Sequence, residues 1–198
     1  MAEEVMNKED NKEKKEFKKE NKEFKKTDRK PRRENRPAKV EDEFDKKTVD
    51  INRISKTVKG GRKPRFNAIV CVGNHNGKVG IGMGKASEVT LAIEKATVDA
   101  KRHVIDVALK GTTIPHEIDG IFETTKIIMM PSSEGNGVIA GGAVRDVVEL
   151  AGIKDITTKL YGSNNPVNCV KATFEGLKQL RTAEQIAYLR GISVEKLG

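Results

Sequence analysis

Apolar residues are sparse in the first 47 positions and patterned after them. Lys, Glu and Asn dominate residues 1–47, interrupted by isolated Phe17, Phe24 and Phe44 and by a short echo, EFKK at 16–19 and again at 23–26. So little apolar surface cannot offset the entropy of ordering a chain, which predicts a disordered, charged tail over 1–47. Pro31 and Pro37 end any helix before the folded part.

Order is expected from about Thr48. TVDINRISKTV (48–58), FNAIVCVG (66–73) and KVGIGMGK (78–85) read as three strands, with Lys59-Gly60-Gly61 as a turn or loop and NHNG (74–77) as the link of a hairpin. Gly80, Gly82 and Gly84 alternate, so one face of the third strand is nearly bare. Such a face admits a close neighbour, either a helix or a nucleic-acid backbone. Ser87 reads as an N-cap with Glu88 in the first turn. Val89, Ala92, Ile93, Ala96, Ala100, Val104 and Val107 then recur at helical spacing, and Gly111 closes the helix. Lys95 with Asp99, and Arg102 with Asp106, stand one turn apart on its outer face.

In the second half, TIPHEI (113–118) and IFETTKIIMM (121–130) read as strands joined at Asp119-Gly120, a common hairpin dipeptide. PSSEGNG (131–137) is a loop, and a helix established by Ala143 ends at Gly152. ITTKLYG (156–162) is a strand. Asn165-Pro166 supplies a cap and first position for a helix reaching about Arg181, with short helices at 183–190 and 194–197 after it. The expected class is α/β in the α+β sense, with two small domains behind the tail. Residues 48–111 hold three strands and a helix, and residues 112–198 hold a βαβα unit. Each is small enough to need the other or a partner for full stability.

Charge changes the picture because of where it lies. Residues 1–50 carry 17 Lys/Arg against 15 Asp/Glu, residues 51–110 carry 12 against 4, and residues 111–198 carry 9 against 10. The net +9 therefore sits almost wholly in the middle third. From Ile51 to Ser87 there is no acid, while Arg53, Lys56, Lys59, Arg62, Lys63, Arg65, Lys78 and Lys85 supply eight cations. A solvated face mixes signs; a block of one sign on a folding sequence is the footprint of a polyanion. A membrane surface fits less well, because glycines and a proline interrupt the block and it has no wide apolar face.

Enzyme-like chemistry is thin. GIGMGK (80–85) fails as a phosphate loop, since Val79 stands where the first glycine belongs and Ala86 where a hydroxyl belongs. GNGVIA (135–140) matches G-x-G-x-x-A, with Asp155 twenty residues after Gly135, and is the best sign of a nucleotide-binding enzyme. Two features oppose it: PSSE separates the strand from the first glycine, and Asp155 precedes the next strand instead of ending it. His75, His103 and His116 have no metal-ligand spacing, and Cys71 and Cys169 read as small buried hydrophobes in a reducing compartment. No cofactor or metal is implied. With no Trp, two Tyr and six Phe, stacking cannot be widespread; recognition of folded RNA by shape and phosphate is the expected mode. The charged N-terminus lacks a signal-type apolar segment and no run approaches a membrane span, so a cytoplasmic location is expected.

Three stretches, NRISKTVKGGRKPRFNAIVCVGNHNGKVGIGMGKASEVTLAIEKA, MMPSSEGNGVIAGGAVRDVVELAGIKD and TKLYGSNNPVNCVKATFEGL, closely resemble the bacterial small-subunit ribosomal protein S5 family. The resemblance runs from about Ile51 onward and leaves the tail outside. It implies an N-terminal domain akin to double-stranded-RNA-binding domains and a C-terminal domain with a left-handed βαβ crossover, against the usual hand. It also implies a structural, non-catalytic component of the small ribosomal subunit. Asn52, Arg53, Ser55, Lys56, Lys59, Gly60 and Gly61 match the family loop that reaches rRNA at the junction of body and head, beside the spectinomycin site. Gly137 and Arg145 match positions near ribosomal protein S4, where substitutions relax decoding accuracy. S8 and the mRNA entry channel are further implied contacts. Ile81 and Met83 stand where relatives often carry aromatics.

Overall fold

The computed structural model describes residues 44–194. Nearly all of the expected charged tail, and most of the expected helix at 194–197, lie outside the described residues. Strand β1 (Asp45–Val58) runs antiparallel to β2 (Gly61–Gly73), which pairs with β3 (Lys78–Ala86). Helix α1 (Val89–Arg102) follows, and a short β4 (Val104–Asp106) returns to the edge of β3, giving the order β1-β2-β3-β4. The rest of the chain forms β5 (Ile118–Phe122), β6 (Thr125–Pro131), β7 (Val138–Ile139), α2 (Gly142–Ala151), β8 (Ile156–Gly162), α3 (Pro166–Gln179) and α4 (Ala183–Arg190). Its sheet has the order β5-β6-β8-β7, with β7 parallel to β8. The class is α+β, an antiparallel sheet with a helix followed by a βαβα-like unit.

The glycines of β3 find a helix, not a nucleic-acid backbone. A Cβ on Gly80, Gly82 or Gly84 would stand 2.4, 2.2 or 2.2 Å from the carbonyl oxygens of Ala100, Ala96 and Ala92. Glycine on the strand and alanine on α1 let the two backbones nearly touch, and all three alanines are fully buried. Of the two neighbours the bare face admits, the structure supplies the helix.

Helix α1 is shorter than its apolar spacing predicts. Val104 and Ile105 leave it to pair with Gly80 and Val79, which satisfies part of the free edge of β3. Two β-branched residues suit a strand better than a last helical turn. Asp106 is therefore on a strand and not one helical turn from Arg102. Asp99 also turns inward along that edge, its Oδ2 accepting the Met83 amide at 3.1 Å. The N-cap is Glu88, one residue later than expected, with no side-chain capping bond from it.

Asp119-Gly120 is not a turn. Both residues lie inside β5, and the chain reverses at Glu123-Thr124, with Glu123 at φ +52. Gly120 is needed for close approach: a Cβ there would sit 2.2 Å from the Ala172 carbonyl oxygen on α3. The end signals of the helices hold better. Gly152 closes α2 at φ +90, Asn165 accepts the Val167 amide at 3.0 Å with Pro166 at the first position of α3, and Thr182 with Gln185 forms a capping box on α4.

The face of the first sheet away from α1 is buried against the second half. Cys71 and Val79 share a core with Ile127, Met129, Val147, Val148, Leu150 and Val170. The turn after β2 docks on the end of α2, where the His75 and Gly77 amides donate to the Leu150 and Ala151 carbonyls at 3.0 and 2.9 Å. Those carbonyls belong to a last helical turn, which has no partners of its own.

Candidate nucleic-acid interface

The third strand stops where the basic block begins. β3 pairs with β2 only as far as Phe66↔Ala86, while β1 and β2 continue for five more pairs, Ile54↔Arg65 to Val58↔Gly61. At about 3.3 Å per residue this makes a free two-stranded arm roughly 17 Å long. The basic segment is thus a ribbon closed by the tight turn at Lys59-Gly60, rather than a loop. Gly60 has φ +88 and Gly61 φ +152, and a Cβ on either would meet nothing within 4 Å. The two glycines serve backbone conformation and leave the tip bare.

Cross-strand partners share a face. Phe66 and Ala68 pack toward Ala92 of α1, so Arg53, Ser55, Thr57, Arg62 and Pro64 continue that face. Ile54, Lys56, Val58, Lys63 and Arg65 lie on the other. Cations therefore project from both sides, with Lys59 at the tip. Among the described residues none of Arg53, Lys56, Lys59, Arg62, Lys63 and Arg65 makes an ion pair. Lys56 stands directly opposite Lys63, an arrangement that costs a few tenths of a kcal/mol in a lone sheet. A ribbon charged on both faces suits insertion between phosphates better than lying on a flat anionic surface.

Other expected site residues divide. Lys85 and Asn52 both pair with Asn67, forming one row at the root of the arm. The Asn67 Oδ1 beside them is buried without a hydrogen-bond partner among the described residues. Lys78 lies at the opposite end of β3, across from Asp106, and is not brought to the arm. Ile81 and Met83 face away from α1 and, with Ile69 and Val170, line a small cleft of about 230 Å³ against α3.

The glycine loop that resembled a dinucleotide fingerprint is filled by the chain's own carboxylate. Asp155 Oδ1 accepts the amides of Gly135 and Gly137 at 3.0 and 2.9 Å. Those donors are the groups a phosphate needs, so the nucleotide reading of GNGVIA is closed. The bonds, that from the Gly137 amide foremost, hold the Asp155 carboxyl below its ordinary 3.8. A group with a lowered folded value stabilises the fold above its unfolded value, and that contribution is lost as pH falls through the folded one. Asp155→Asn is expected to flatten the acid limb of the stability profile below pH 3.8 and to lower stability at neutral pH, read by urea unfolding across pH. An unchanged acid limb counts against the assignment. Gly137 itself has φ +74 and sits just before β7. Arg145 is exposed on the first turn of α2, its amide bonded to the Gly141 carbonyl at 2.7 Å.

The remaining reactive groups are engaged in the fold. Nδ1 of His75, His103 and His116 lies 2.8, 2.9 and 2.8 Å from the backbone carbonyls of Glu149, Asp99 and Glu117. Burial pushes the Cys71 thiol up to about 12 and raises that of Cys169, so neither is a ready nucleophile. Among the described residues no cluster of His, Cys, Asp or Glu is placed to hold a metal, and no helix is long and apolar enough to cross a membrane.

Two family models match the chain. One, described as ribosomal protein S5, N-terminal domain, matches residues 44–108; the other, ribosomal protein S5, C-terminal domain, matches residues 120–190.

Proposed function

The chain belongs to the ribosomal protein S5 family, a structural, non-enzymatic component of the small ribosomal subunit that binds rRNA and ribosomal proteins, and from this premise we propose where it makes its contacts. The arm formed by β1 and β2 enters small-subunit rRNA at the junction of body and head. Asn52, Arg53, Ser55, Lys56, Lys59, Arg62, Lys63 and Arg65 face phosphates, Gly60 and Gly61 let the tip approach closely, and Lys85 extends the contact at its root. The observation that carries this reading is the acid-free ribbon, its cations exposed on both faces and, among the described residues, without ion pairs. Lys78 belongs to the same basic block in sequence but serves another part of the RNA surface, because it stands at the far end of β3.

The second half meets protein neighbours. Its charge is close to balanced; Gly137 ends the loop that Asp155 rigidifies, and Arg145 follows on the first turn of α2. We assign that loop to ribosomal protein S4, place S8 elsewhere on the same half, and place the protein beside the mRNA entry channel of cytoplasmic ribosomes. Through that contact the protein contributes to decoding accuracy. Arg145→Leu tests both parts. In sucrose gradients the variant is expected to co-migrate with small subunits at near-normal levels, while a stop-codon reporter shows several-fold higher readthrough. Normal readthrough in fully assembled particles removes the accuracy role. A variant confined to the soluble fractions shows that Arg145 serves assembly instead.

A further inference from the structure

A second cluster of cations lies far from the arm. The segment joining the two sheets and helix α4 enclose an open cleft of about 590 Å³. Leu109, Pro115 and Ile186 form its apolar wall, and Lys110, Arg181 and Arg190 reach it from three separate stretches of chain. Glu184 is the one carboxylate in the lining. Among the described residues none of the three cations makes an ion pair, with Glu184 or any other acid. The half of the chain that supplies both arginines carries 9 Lys/Arg, those two included, against 10 Asp/Glu.

The parts are held in place by the fold. A bridge between Lys110 and Thr113 bends the joining segment. The capping box at Thr182 sets the start of α4, with Arg181 immediately before it. His116 is pinned between them, its Nδ1 2.8 Å from the Glu117 carbonyl and its Nε2 facing the Arg181 amide at 3.5 Å. The size is within the range of small-ligand sites, roughly 300–1,000 Å³. An apolar wall beside three cations that make no ion pair among the described residues suits a phosphate attached to a sugar and base.

We propose that this cleft takes a nucleotide of rRNA, its phosphate held by Lys110, Arg181 and Arg190 and its sugar or base edge against Leu109, Pro115 and Ile186. The inference rests on the rRNA-binding reading above and adds a second point of attachment. The joining segment leaves β4 beside Lys78, at the end of the sheet away from the arm. At about 3.3 Å per residue, β2 alone spans roughly 40 Å from the tip of the arm to that end. Two such anchors fix orientation as well as position.

The test uses the full chain and an in-vitro transcript of small-subunit rRNA, with affinity measured across a salt series. Lys110→Gln/Arg181→Gln/Arg190→Gln is expected to reduce the salt slope by the roughly 0.7–0.9 units that one phosphate contact contributes, and to weaken binding about 5- to 10-fold at 0.1 M salt. Arg190→Gln alone, at an exposed position on α4, is expected to remove a smaller part of that slope and guards against misfolding of the triple variant. A triple variant with wild-type slope and affinity overturns the proposal, while an arm variant that weakens in the same experiment leaves the wider reading intact. If neither variant changes binding, both fall. Wild-type rRNA binding with lost retention of a poly-glutamate probe identifies the cleft as a site for an acidic protein segment, and also overturns the RNA assignment.

Discussion

Replacing Lys56, Arg62, Lys63 and Arg65 together with glutamine is expected to weaken rRNA binding about 100- to 1,000-fold at 0.1 M salt. The reasoning is counterion release. Each phosphate neutralised contributes roughly 0.7–0.9 to the slope of log affinity against log salt, so six arm cations account for about four to five units and four of them for about three. The arm lies outside the packed part of the sheet, so the variant should keep the wild-type fold. It should even melt slightly later, because Lys56 no longer opposes Lys63, a repulsion worth a few tenths of a kcal/mol. Higher stability with much lower affinity is the pattern of residues kept for a ligand. A variant that binds with the wild-type salt slope shows that the arm does not meet RNA.

Gly82→Ala is expected to be among the most damaging single substitutions in the chain. Its new methyl would lie 2.2 Å from the Ala96 carbonyl oxygen and 2.3 Å from the Ala100 nitrogen, both backbone atoms of α1. No rotamer change relieves such a contact; the helix must move off the sheet. Overpacking costs about 1–3 kcal/mol where side chains can adjust, and here they cannot, so a loss of more than about 3 kcal/mol is expected in urea unfolding. Gly61→Ala makes the comparison. Nothing stands within 4 Å of its Cβ, and only the unusual φ of +152 resists it, at a cost of about 1 kcal/mol. Equal losses at the two positions would mean that helix and strand are not in contact as described.

These two glycines show what could be read from sequence and what could not. The alternation at 80, 82 and 84 announced a bare strand face, but a helix and an RNA backbone make the same demand on that face. Only the placement of Ala92, Ala96 and Ala100 against it decides the matter. Asp119-Gly120 misled for a related reason: Gly120 answers to α3, forty residues and more away, and local turn preference was overridden. The helical period from Val89 to Val107 was counted too far because a valine in a short edge strand falls by chance on the same spacing. By contrast, the helix-end signals at Gly152 and Asn165-Pro166 depend on neighbours a few residues away, and they were legible.

The candidate site was similarly divided. The density of cations and the lack of acids at 51–87 marked the basic block directly. That the block forms a ribbon, and shows charge on both faces, depends on where β3 stops pairing. Asp155 was visible only as a possible ribose ligand; its task of holding the Gly135–Gly137 loop required the loop's folded path. Lys110, Arg181 and Arg190 carry no signal in sequence, since each is an isolated cation until the fold brings them to one cleft.

The docking of the Asn74–Gly77 turn on the end of α2 has a mechanical consequence. Backbone bonds at 3.0 and 2.9 Å and a common core weld the two halves where a flexible hinge would otherwise be expected. A displacement of the end of α2 is therefore shared with the turn that closes β2. The two sheets thus share one support at the end of α2, and neither can shift there without the other.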